Sequence, residues 1–185
     1  MTICVFPGTF NPIHIAHLKM AQFVLDNYGF EKVIFIPSYI PPHKQVDSNL
    51  AKHRYNMVIL ATENNPRFEV SDIEYKSEGK SYTLITVKKI IELFNIEGRL
   101  NFIIGTDAFK NIKSWYKADE LKNLVHFIVF PRNDDIINSL DFEGYDYELA
   151  NCGKLDISST DIREKHTKET TKEVNEYIFE SGLYN

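Results

Sequence analysis

Short apolar runs alternate with longer segments of helical periodicity from Thr2 to Phe130, and that alternation limits the folds open to this chain more than any other feature. Thr2 to Phe6 is a β-rich run broken by Pro7 and Gly8, after which Leu18, Ala21, Leu25 and Tyr28 recur at helical spacing as far as Gly29. Lys32 to Pro37 reads as a second, buried strand closed by proline, so the chain opens with a strand-helix-strand unit. Helical spacing returns around Met57, Leu60 and Ala61, and Phe68 to Val70 suggests another strand. Leu84, Val87, Ile90, Ile91 and Phe94 mark a helix ending near Gly98. Leu100 to Ile104 and His126 to Phe130 are two more buried strands, separated by a helical region from Trp115 to Leu124.

This order predicts one α/β domain over residues 1–185, a doubly wound, Rossmann-like, mostly parallel sheet with helices on both faces. In such sheets a ligand crevice lies beyond the carboxyl ends of the strands, near a switch in strand order. The unusual residues gather there. The first strand leads into Gly8 to His17, the second into Pro41-Pro42-His43-Lys44, the strand at 100–104 into Gly105-Thr106-Asp107, and the strand at 126–130 into Pro131-Arg132. The acidic stretch from Asn133 to Asp156 has too little periodicity to assign.

Composition narrows the ligand. With 43% hydrophobic and 13% aromatic residues over 185 positions, the chain can bury a substantial core. No apolar run approaches the roughly 20 residues that span a bilayer, and no basic region precedes an apolar leader, so a soluble cytoplasmic protein without membrane partners is expected. Cys4 and Cys152 match neither a disulfide framework nor a zinc spacing, so both are expected to be reduced thiols. A net charge of −5, with lysines scattered among carboxylates, argues against nucleic-acid binding and leaves a small charged ligand in a local pocket.

His14 and His17, three residues apart where a strand hands over to a helix, would both project from the first helical turn beside unpaired N–H groups, as an anion site requires. The plain alternative is a turn glycine, an Asn11-Pro12 turn and a polar residue at the core edge. Lys44 at the end of a stiff proline segment could meet a phosphate, or be a solvated lysine. Ile157-Ser158-Ser159-Thr160-Asp161-Ile162-Arg163 sets hydroxyls, helix N–H groups and a guanidinium together as a triphosphate would need. Ser158 with Asp161 equally resembles a capping box, and Arg163 a surface charge. Ser81-Tyr82-Thr83 opens the helix at Leu84, so its hydroxyl and N–H groups suit a carboxylate. Trp115 suits stacking on a planar ring, although core packing is the commoner use of a tryptophan.

Taken in this order, the motifs resemble the bacterial nicotinate-mononucleotide adenylyltransferases, within the nucleotidylyltransferase superfamily marked by a (His/Thr)-x-Gly-His signature. The residues carrying the resemblance are Gly8 to His17, Pro41 to Lys44, His53-Arg54 with Met57, Ser81 to Thr83, Gly105 to Asp107 with Trp115, Arg132, and Ile157 to Thr160 with Ile162-Arg163. The resemblance implies transfer of AMP from ATP to nicotinate mononucleotide, releasing pyrophosphate, by direct attack of the mononucleotide phosphate and without a protein nucleophile. It implies that His14, His17, Lys44 and Arg163 are the catalytic set, and that Gly8, Thr9, Phe10, Gly105, Asp107, Ile157, Ser159 and Thr160 join in binding ATP. It gives Ser81, Tyr82, Thr83, Trp115 and Arg132, with Lys44, to the mononucleotide. Magnesium is implied as a companion of ATP, with no carboxylate cluster suggesting a dedicated protein cage. A homo-oligomer is compatible with it.

The chain departs from the family pattern at several positions. Pro7 and Ala16 stand where glycine is usual, and the Ala16 methyl is expected near the nucleotide. Ile85 stands where aspartate is common, Asn133-Asp134 replaces the usual pair after the arginine, and the stretch between Arg163 and the terminal helix around Val174, Tyr177 and Ile178 is short. The alternatives are an adenylyltransferase acting on nicotinamide mononucleotide or phosphopantetheine, and a nucleotide-binding sensor without turnover. A class I aminoacyl-tRNA synthetase fragment is disfavoured, because the chain lacks a Lys-Met-Ser-Lys-Ser loop.

Overall fold

The structure, a computed structural model, describes residues 1–132, 135–153 and 155–185. Six strands form one sheet: β1 (Ile3–Gly8), β2 (Lys32–Pro37), β3 (Phe68–Val70), β4 (Leu100–Gly105), β5 (Val125–Phe130) and β6 (Asp146–Leu149). Their spatial order is β3-β2-β1-β4-β5-β6, and every neighbouring pair is parallel. The helices are α1 (Ile15–Asn27), α2 (Ala51–Thr62), α3 (Thr83–Phe94), α4 (Thr106–Lys110), α5 (Ala118–Leu124), α6 (Ser159–Lys165) and α7 (Lys172–Glu180). This is the doubly wound α/β fold expected from the alternation.

The two-residue period of the strands divides the core between the two sheet faces. Cys4, Phe6, Val33, Phe35, Ile103, Ile128 and Phe130 point to one face, where they pack with Ala21, Val24 and Leu25 of α1, Met57 and Val58 of α2, and Val174 of α7. Val5, Ile34, Ile36, Phe102, Ile104, Phe127 and Val129 point to the other, against Leu84, Val87 and Ile90 of α3, Phe109 of α4 and Leu121 of α5. Strands buried on both faces read as continuous apolar runs, which is why they were visible in the sequence. The terminal helix docks by burying Val174, while Leu183 beyond it is also buried. At about 1.5–3 kcal/mol per buried aliphatic side chain, this outweighs the roughly 1 kcal/mol of any one hydrogen bond.

Two expectations need correction. Pro7 and Gly8 do not end the first strand: they pair with Ile36 and Pro37 of β2. On its other side β1 pairs with β4 only at Cys4 and Val5, so Pro7 lies past the end of that ladder, where a missing N–H costs little. A short helix, α4, also follows β4 directly, where the sequence suggested helix only from Trp115. Its five residues are too few for a visible period.

The order reverses between β1 and β4, and these strands separate at their carboxyl ends. The ligand crevice of a doubly wound sheet opens at such a place.

Candidate active site

His14 and His17 stand at this opening, but not as two residues of one helical turn. His14 is the extended residue that caps α1 (φ −145°, ψ 174°), and the helix starts at Ile15. The His14 backbone N–H donates to His17 Nδ1 at 3.2 Å, so a histidine does what glutamate does in a capping box. The rings stack, with centroids 3.7 Å apart and an interplanar angle of 23°. Because His17 Nδ1 accepts this bond, the neutral ring carries its proton on Nε2 and can offer an N–H to an anion.

Both rings are held neutral. Burial first, and the Arg132 charge second, lower the His14 pKa to about 4. Burial, then repulsion between the protonated forms of the two histidines and the charges of Lys44 and Arg132, hold His17 well below the usual histidine range. His14 Nδ1 is buried and finds no partner among the described residues.

Phe10 and Gly8 turn out to shape the loop from within. Phe10 is 3% exposed and sits edge-on to His17, with centroids 5.1 Å apart, so it packs the histidine into the core. Its backbone is left-handed (φ 49°), and its ring folds back over Gly8, where a Cβ would lie 2.8 Å from the ring. Glycine is required at position 8 for the phenylalanine itself. Ala16 belongs to the same apolar cluster and is 3% exposed, so its methyl is accommodated in the core packing behind the histidines.

The remaining cations reach the same place. Lys44 keeps contact with solvent, yet the surrounding protein lowers its pKa, and Arg163, Arg132 and Arg54 lower it further against the opposing charge of Asp107. Arg132 donates to Asp107 Oδ2 at 2.9 Å and to the Ile157 carbonyl at 2.8 Å, and its N–H donates to Thr106 Oγ1 at 3.0 Å. Arg163 donates to the Asn11 carbonyl at 2.6 Å and to Thr160 Oγ1 at 3.3 Å, so it is tied to the histidine loop and is no loose surface charge. Ser159 donates to the Pro12 carbonyl at 2.8 Å. Ser158 caps α6 by accepting from the Asp161 N–H at 3.0 Å, as the capping-box alternative predicted. Gly105 caps α4, with Asp107 exposed in the first turn.

The aromatic side of the crevice is built on the loop from Ser38 to Lys44. The Ser81 hydroxyl accepts from the Tyr39 and Ile40 N–H groups, both at 3.1 Å, so it fixes this loop. Tyr82 caps α3 without a side-chain bond and packs on Tyr116, centroids 4.6 Å apart; Thr83 is the first residue of the helix. Trp115 is half-buried, with His43 nearly parallel to it at 6.2 Å between centroids, an arrangement intermediate between core packing and a free stacking platform. Ile85 is 42% exposed. Asn133 and Asp134 lie outside the described residues.

One residue without an assigned role joins the two sides. Arg54 of α2 has no exposed surface and donates to the carbonyls of Thr9 (2.7 Å), Ser38 (2.6 Å) and Tyr39 (3.0 Å). It locks the histidine loop to the loop carrying Lys44. The signal was present: Arg54 stands three residues before Met57 and four before Val58, on the apolar face of its helix, where a charged residue needs internal partners.

Among the described residues no group of three or more His, Cys, Asp and Glu is placed to hold a metal ion. Among the described residues no helix is long and apolar enough to cross a membrane.

A family model described as cytidylyltransferase-like matches residues 5–165. The chain is 39% identical to "Probable nicotinate-nucleotide adenylyltransferase" of Caldicellulosiruptor bescii, covering 100% of this chain and 99% of that protein. It is 38% identical to nicotinate-nucleotide adenylyltransferase of Bacillus subtilis, covering 98% and 97%. The chain belongs to the nicotinate-nucleotide adenylyltransferase family. Among solved structures, nicotinic acid mononucleotide adenylyltransferase of Plasmodium falciparum complexed with NaAD superposes with a TM-score of 0.82 over 98% of this chain and 96% of that one. At 24% identity this likeness speaks for the fold.

Proposed function

We propose that this protein transfers AMP from ATP to nicotinate mononucleotide, giving nicotinate adenine dinucleotide and pyrophosphate, a late step in making NAD. The observation that carries the reading beyond family membership is the gathering of Lys44, Arg132 and Arg163 around two neutral histidines where β1 and β4 part. An acidic chain that concentrates positive charge at one crevice is suited to a polyphosphate.

The mononucleotide phosphate attacks the α-phosphorus, a bond forms to its oxygen, and the bond to the β-phosphate oxygen breaks as pyrophosphate leaves. The protein positions the groups and stabilises charge. In this reading the His17 Nε2–H and the His14 ring lie along the ATP phosphates, and Lys44 and Arg163 meet the charge growing on the departing pyrophosphate. Donors preset for that charge are each worth about 10²–10³ in rate. Ser159, Thr160, Ile157, Gly105 and the Gly8 to Phe10 loop border the ATP, several of them through backbone groups. Trp115 takes the nicotinate ring, Thr83 and the uncapped N–H groups of α3 its carboxylate, and Arg132 its phosphate. Ser81 and Tyr82 support this pocket.

A divalent cation enters with ATP, and magnesium fits best. The single carboxylate of Asp107, already steered by Arg132, suits an ion that keeps most of its waters and binds chiefly through phosphates. Such an ion would neutralise phosphate charge.

The test is acceptor choice. Purified protein with magnesium-ATP should release pyrophosphate with nicotinate mononucleotide far faster than with nicotinamide mononucleotide or phosphopantetheine. Equal or reversed preference removes the acceptor assignment, and ATP binding without pyrophosphate release makes the protein a sensor.

A further inference from the structure

The histidine loop is shaped by residues from the far end of the chain. Over the five positions from Asn11 to Ile15, backbone and side-chain groups make five bonds with residues beyond Ser158. Ser159 Oγ donates to the Pro12 carbonyl at 2.8 Å, Arg163 Nη1 to the Asn11 carbonyl at 2.6 Å, and Thr170 Oγ1 to the Ile13 carbonyl at 2.7 Å. The Ile15 N–H donates to the Glu169 carbonyl at 3.1 Å, and the Tyr184 hydroxyl donates to Asn11 Oδ1 at 2.6 Å. Glu169, Thr170 and Tyr184 lie beyond residue 165, where the cytidylyltransferase-like match stops.

We propose that Thr170 and Tyr184 are positioning residues for adenylyl transfer, setting the backbone from Asn11 to Ile15 and, through it, the two stacked histidine rings. This rests on the functional reading above. His14 follows directly on Ile13, whose carbonyl Thr170 holds, and His17 is fixed by the His14 N–H. A shift of the loop therefore moves both rings together.

The terminal segment has anchors besides these two hydroxyls. Helix α7 is anchored on α2 by the Tyr177 hydroxyl, which bonds His53 Nδ1 at 2.9 Å and Asn56 Nδ2 at 3.0 Å, and Val174 and Leu183 are buried in the core. Thr170 is 6% exposed, and its hydroxyl serves the loop. Tyr184 has a left-handed backbone (φ 61°), unusual for a side chain of its size and kept only where surrounding contacts impose it. Burial pushes its phenol above the usual tyrosine range, so it remains a donor throughout the working pH range.

The test compares wild type with Tyr184→Phe, Thr170→Val and Thr170→Ser in pyrophosphate release at saturating magnesium-ATP and nicotinate mononucleotide. Heteronuclear NMR of the imidazole resonances of the ligand-free proteins is the second readout. Tyr184→Phe and Thr170→Val are expected to lower kcat about tenfold with the mononucleotide KM nearly unchanged, because small displacements of catalytic groups cost rate before they cost binding. Both should shift the His14 and His17 resonances, and Thr170→Ser should restore rate and resonances. Folded Tyr184→Phe and Thr170→Val proteins with wild-type kcat and unshifted resonances overturn the proposal, as does a Thr170→Ser variant no better than Thr170→Val. If Thr170→Val does not fold, Tyr184→Phe decides, since it leaves every backbone carbonyl of the loop its donor. If the wild type releases no pyrophosphate, the functional reading fails separately, and the resonances alone decide whether these hydroxyls hold the histidines.

Discussion

The two ends of the sheet each carry histidine, and they treat it in opposite ways. At the carboxyl ends, His14 and His17 are stacked, neutral and reached by the charges of Arg132 and, for His17, Lys44. At the amino ends, His126 of β5 lies between Asp146 Oδ1 and Glu148 Oε1 of β6, each at 3.0 Å, while Arg99 pairs with Asp146 at 2.8 Å. Partial burial draws the His126 pKa down, but Glu148 and Asp146 outweigh it and raise it. The amino end balances its own charges and fastens an edge strand. The carboxyl end leaves positive charge in excess, and that imbalance is useful only if an anion binds there.

His17→Ala should lower turnover by about 10²–10³ while the circular dichroism spectrum stays unchanged, because the ring acts on developing charge. Activity within a few-fold of wild type would make the carboxyl-end histidines as structural as His126. Arg54→Met should cost about 3–5 kcal/mol in urea unfolding, since three part-buried carbonyls lose a charged donor, and Arg54→Lys should recover part of it.

Acid should then separate the two ends. Between the ordinary histidine value of 6.5 and about 4, the unfolded chain binds a proton that folded His14 refuses. Stability attributable to His14 is therefore full above that window and falls by about 3 kcal/mol on acidification through it, and His17 adds a loss of the same sign. Bound ATP should flatten this slope, because an anion favours the imidazolium; a slope indifferent to ATP would count against phosphate contact. His126 has the opposite sign: its contribution is present below the ordinary histidine value and lost as pH rises through the raised one. His126→Gln should remove that alkaline loss, an effect below about 1 kcal/mol because the cluster is partly exposed.

Much of the fold was legible. β1, β2, β4 and β5 are buried on both faces, so burial alone writes them as apolar runs. β6 was missed within the acidic stretch from Asn133 to Asp156, because the alternation of Asp146-Tyr147-Glu148-Leu149 lasts only four residues and its charges answer His126 and Arg99 on neighbouring segments, which a local reading does not see. The site motifs were legible as residue types at strand ends. Their partners were less so: Ser81 serves the Tyr39 and Ile40 backbone, and Phe10 is a core wedge over Gly8.

Periodicity and composition are local properties, and they suffice for the alternating layers, the end of the sheet where chemistry gathers, and the phosphate-seeking residue types. Three-dimensional packing is what makes Arg54 clamp two loops, stacks His14 and His17 as neutral rings, and brings Thr170 and Tyr184 onto the loop from the opposite end of the chain. These depend on which groups lose water together and which find partners across more than 150 residues, as Thr170 does with Ile13 at a separation of 157.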